Sequence, residues 1–137
     1  MSSLSKYGSF LNLIGGILVY ISKTVYPIYT EEGLLLNKEE YGNDLRNVIN
    51  LGESSTRIIE SANPPSFLKD EHDLFFQSYK SVLDCIYCLN KKLEENYDLE
   101  ISEETLIESL SSLKNVEDDF KVASMKVVEK VMLFSRR

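Results

Sequence analysis

The amino-acid sequence predicts an all-α protein, an antiparallel up-down-up-down four-helix bundle made by a single domain over residues 1–137. Three observations carry that expectation. Apolar residues recur in alternating steps of three and four along four separate stretches, which lines up one face of a helix. Short breaks separate the stretches. The chain also holds only 3 Pro and 6 Gly, so long helices meet few interruptions.

In the first stretch, Leu4, Tyr7, Leu11, Ile14, Leu18, Ile21 and Val25 form the stripe. Ser5, Ser9, Asn12, Gly16 and Lys23 oppose it, a polar face that a lipid-facing helix would not need. Pro27 ends or kinks this helix, because its ring cannot continue the hydrogen-bond ladder. Residues 30–37 read as a connection. Asn37 then has the character of an N-cap, with Glu40 three residues later to reach back.

The second stripe is Tyr41, Leu45, Val48, Gly52, Ser55, Ile59 and Ala62. Its small middle suggests close approach by a neighbouring helix, with Gly15 and Gly16 at the matching height. Residues 63–66, Asn-Pro-Pro-Ser, are the clearest break. The third helix starts at Pro65 or Ser66 and runs to about Glu95, with Leu68, His72, Phe75, Tyr79, Val82, Ile86, Leu89 and Leu93 inward. Ser102 is expected to cap the fourth, which buries Leu106, Leu110, Leu113, Phe120, Ser124, Val127, Val131 and Phe134. Glu117 interrupts that stripe. Given the cost of burying a carboxylate, the expectation is that Val116 takes its place and Glu117 faces water. A hydrogen bond that Glu117 accepts from a tyrosine, Tyr79 by helix counting, is the alternative.

The net charge of −7 is acidic, and none of the 15 basic residues lies in a run longer than two. A phosphate-backbone ligand requires clustered Lys and Arg, so nucleic acid is not an expected partner. Two cysteines, Cys85 and Cys88, are too few for a secreted disulfide scaffold and favour a reducing cytosol; a bacterial or phage source is a separate expectation. Residues 7–29 are strongly apolar, but Asn12, Gly15, Gly16, Ser22 and Lys23 interrupt them. Membrane spanning, which needs roughly 20 apolar residues, is not expected.

Catalytic and metal chemistry find no assembled set. His72 is the only histidine. Lys69, not Glu, precedes it at the spacing of a bundle di-iron motif. Cys85-Ile86-Tyr87-Cys88 has redox spacing but falls in mid-helix beside Asp84, where no helix N-terminus lowers a thiol pKa. No enzyme, metal or cofactor is expected.

Two binding regions remain. A polar layer of His72, Ser55 and Ser124 is a candidate ligand pocket, set against the plainer reading of a core histidine satisfied by hydroxyls or backbone. At the other end, Glu94 to Asp119 holds ten Asp or Glu and one basic residue, Lys114. Glu103, Glu104 and Glu108, with Leu34, Leu35 and Leu36, are candidate protein-interface residues. Acids early and bases late in the fourth helix also complement its macrodipole, and the leucines, with Tyr20, Tyr26, Tyr29 and Tyr41 nearby, also suit a cap on the bundle end. The expected function is non-enzymatic protein–protein contact by an adaptor, regulator or inhibitor, or by a homodimer. A ligand pocket near His72 or a membrane-associated first helix is the alternative.

Overall fold

The computed structural model describes residues 3–135. They form four α-helices packed against one another: α1 (Ser3–Val25), α2 (Lys38–Ser61), α3 (Lys69–Glu95) and α4 (Glu103–Ser135). A single 3-10 turn, Ser66–Leu68, leads into α3. The class is all-α.

Local chemistry sets the helix ends. α1 stops at Val25, two residues before Pro27. Asn37 caps α2, its Oδ1 accepting from the Glu40 backbone N at 3.1 Å, while its amide donates to the Glu40 carboxylate at 3.3 Å. The reciprocal contact thus runs through the Asn37 side chain and not its backbone. At α4 the roles expected of Ser102 are reversed: Thr105 Oγ1 accepts from the Ser102 backbone N at 3.3 Å, and the Ser102 hydroxyl meets Thr105 Oγ1 at 3.4 Å.

One core joins all four helices. The α3 stripe is buried at every position from Leu68 to Leu93 that the periodicity selected. Each large apolar side chain there contributes about 1.5–3 kcal/mol by leaving water. Between helices, Tyr41 Oη donates to Val25 O at 2.5 Å, and Lys130 Nζ lies 3.0 Å from Glu71 Oε1. Phe67 stacks on Phe134, with centroids 3.9 Å apart.

α1 packs through one face. Tyr7, Ile14, Ile21 and Val25 are buried, with Leu4, Leu11 and Leu18 half-buried beside them. Phe10 and Ile17 pack on the flank of that seam, so α1 turns one apolar face to the core. Leu13, Val19 and Tyr20 are exposed. α1 is long and apolar enough to cross a membrane, and only 17% of its most apolar window is buried.

Two expectations are corrected. Gly52 does meet a neighbour, but the neighbour is α3: a Cβ there would lie 2.7 Å from Leu83 Cδ1, whereas Gly15 and Gly16 face open space. Glu117 does not face water. It is 8% exposed, because Ser22 and Tyr26 of the α1 end supply two hydroxyls that meet its carboxylate.

Candidate functional site

Both sites foreseen in the sequence rest on the bundle framework, at different places along it. His72 sits on the first turn of α3, 6% exposed, among Tyr7, Phe10 and Phe75. Its Nε2 lies 3.2 Å from Ile59 O and its Nδ1 2.7 Å from Tyr7 Oη. A carbonyl only accepts, so Nε2 carries the proton and Tyr7 donates to Nδ1. Burial holds the His72 pKa below its ordinary value, opposed by the Ile59 carbonyl and Asp73. Burial, with Glu71 adding, likewise pushes the Tyr7 phenol up. The imidazole is neutral with both nitrogens engaged, which is the chemistry of a core histidine.

None of the hydrogen bonds of His72 reaches Ser55 or Ser124. Ser55 is fully buried and donates to Leu51 O at 2.6 Å within its own helix. Its polar neighbour is Tyr79, whose Oη is buried with no hydrogen-bond partner of normal geometry. Ser124 is half-buried, and Ala123 takes the core position beside it. A concavity of about 610 Å³ opens beside His72, lined by Asn63, Ser66, Lys69 and Asp73 and by neither serine.

The thiols are unpaired, Cys85 half-buried and Cys88 exposed. Burial, then Cys88 and Asp84, push the Cys85 thiol up, away from the thiolate that redox chemistry needs. Among the described residues no group of three or more His, Cys, Asp or Glu is placed to hold a metal ion.

The opposite end of the bundle is built differently. The connection after α1 is stitched onto the connection before α4. Leu35 N donates to Ile101 O at 2.7 Å and Glu103 N to Gly33 O at 3.1 Å, while Leu36 N closes on Ile28 O at 2.9 Å within the first connection. Gly33 closes the turn at φ +80°, a conformation that side chains disfavour. Lys38 adds a clasp to the carbonyls of Tyr97 and Leu99.

This stitching fixes where the three leucines point. Leu35 packs against the core, Leu34 is half-buried, and Leu36 is 59% exposed. Ile28, Leu99 and Ile107 are exposed on the same end. Around them Glu31, Glu32, Asp98, Glu100, Glu103, Glu104 and Glu108 all face solvent. Ile28 and Leu99 carry no periodic signal in the sequence because they lie in connections, where no stripe marks a side chain as inward or outward. A shallow hollow of about 280 Å³ between Tyr20, Tyr26, Leu36 and Tyr41 adjoins them.

Comparison of the chain with protein-family models, with curated proteins and with solved structures finds no significant match in any of the three.

Proposed function

We propose that this chain is a non-enzymatic helical-bundle protein that works through protein–protein contact, presenting its stitched acidic end to a basic partner. The carrying observation is the group Ile28, Leu36 and Leu99, exposed on a backbone held by two bonds between the connections and two from the Lys38 ammonium, with solvent-facing carboxylates on the same connections. Apolar side chains on a pre-organised surface lose little freedom on binding, and the surrounding charge selects and steers a basic surface. The antiparallel up-down order belongs to the same proposal. It is supported by contacts that join consecutive helix ends, Tyr41 to Val25 and His72 to Ile59, and by Lys130 with Glu71. Unpaired Cys85 and Cys88 support a cytoplasmic setting.

The test is a tagged pull-down in detergent-free buffer with three baits: the native chain, Leu36→Lys and Glu104→Lys. One stoichiometric basic partner lost by both variants is the expected result. A partner retained by both, or turnover of a small molecule by the native chain, would overturn the reading. A second reading, membrane association through α1, draws on the exposed Leu13, Val19 and Tyr20. Clean recovery of the native chain without detergent would end it.

A further inference from the structure

A second surface lies on α4, away from the acidic end. Val122, Met125, Val128, Met132 and Leu133 are each between 45% and 59% exposed. At 100° per residue Val122, Met125, Met132 and Leu133 share one face, with Val128 at its edge and Glu129 within it. Lys126 borders the other edge. The stripe runs about 17 Å along the helix, and neither Lys126 nor Glu129 makes an ion pair among the described residues. Scattered exposed apolar residues require no account, but a continuous stripe of them on one helix face does.

The charge order says what covers it. Along the stripe the unpaired charges are one base, Lys126, and one acid, Glu129, three residues apart, while Lys121 and Lys130 pair with Asp118 and Glu71. A face with a base at one position and an acid three residues on is complementary to itself when reversed. We propose that this face of α4 is a self-association surface covered by the same face of a second copy, the two helices antiparallel about a two-fold axis. Such an interface is isologous, so every contact occurs twice. The register that lays stripe on stripe sets Val122 against Met132 and Leu133 of the second copy. It also sets Lys126 opposite Glu129 twice over, so the one acid within the stripe meets a base. Parallel pairing would set Lys126 beside Lys126 and Glu129 beside Glu129, which disfavours it. This inference does not depend on the acidic-end reading, since the two surfaces share no residue.

Sedimentation equilibrium of the full chain in the micromolar range tests it. The native chain is expected at twice its 15.7 kDa. Met125→Glu with Met132→Glu should sediment as monomer with an unchanged helical spectrum, both side chains being exposed. Lys126→Glu should weaken the dimer about tenfold, and Lys126→Glu with Glu129→Lys should restore it, a rescue that a merely destabilised fold would not show. A native chain that stays monomeric, or a dimer indifferent to the Met125 and Met132 changes, overturns the inference. A monomer that floats with anionic vesicles through this stripe also overturns it and gives the face to a membrane. A monomer that still captures a partner through Leu36 overturns it while leaving the proposed function standing.

Discussion

Glu117 and His72 show how a buried polar group is settled by what faces it. Glu117 Oε2 accepts from Ser22 at 2.5 Å and Oε1 accepts from Tyr26 at 2.5 Å. Replacing it by Gln keeps the shape and removes one charge-assisted acceptor, so Glu117→Gln should lower stability by about 1–2 kcal/mol in a urea titration. The periodicity of α4 put Glu117 on the inward stripe correctly. The general cost of desolvating a carboxylate argued the other way, and no single-helix pattern reveals that α1 ends with two hydroxyls at that height. His72 was legible as a satisfied core residue, but its partners, Tyr7 and the Ile59 carbonyl, come from other helices and could not be read from spacing. The buried imidazole yields a pH prediction. The unfolded chain takes up a proton near the ordinary value of 6.5, whereas the fold resists protonation, chiefly through burial. Stability from neutral His72 is therefore full above about pH 6.5 and is lost as pH falls toward the depressed native value. The melting temperature of the native chain should drop more between about pH 8 and about pH 5 than that of His72→Gln. Parallel curves would mean that the imidazole already charges in the folded state.

Among the elements, α1 packs by the apolar stripe its spacing predicts and leaves apolar residues on its other face exposed. The sequence pattern located its seam and its end at Pro27. It could not show which apolar residues stay outside the core, because Leu13, Val19 and Tyr20 are as apolar as the residues that do pack. The helical glycines separate two situations that look alike in sequence. Gly15 and Gly16 face open space, so Gly15→Ala or Gly16→Ala should each raise stability by about 0.5–1 kcal/mol through helix propensity alone. At Gly52 the new methyl must displace Leu83, and overpacking of about 1–3 kcal/mol outweighs that gain. Gly52→Ala should therefore lower the urea midpoint where Gly15→Ala raises it. Equal gains at the two sites would show that Leu83 moves aside freely.

For the molecule as a whole, α3 is the central element, touching α1 through Phe10 and Phe75, α2 through Leu83 at Gly52, and α4 through Phe75 and Tyr79 on Phe120. Phe75→Ala or Ile86→Ala should cost on the order of 2–5 kcal/mol, against less than about 0.5 kcal/mol for exposed Glu103→Ala. Similar small losses at all three would contradict a core organised on α3. The same central position bears on the stitched end. Leu35 N–H and Glu103 N–H are far apart in sequence, yet each is closed by a carbonyl of the other connection. Neither bond can break while the two segments stay aligned. Their amide protons should therefore trade with solvent deuterium at closely matched rates, as one cooperative opening unit, slower than the amides of the exposed turn at Glu31 and Glu32.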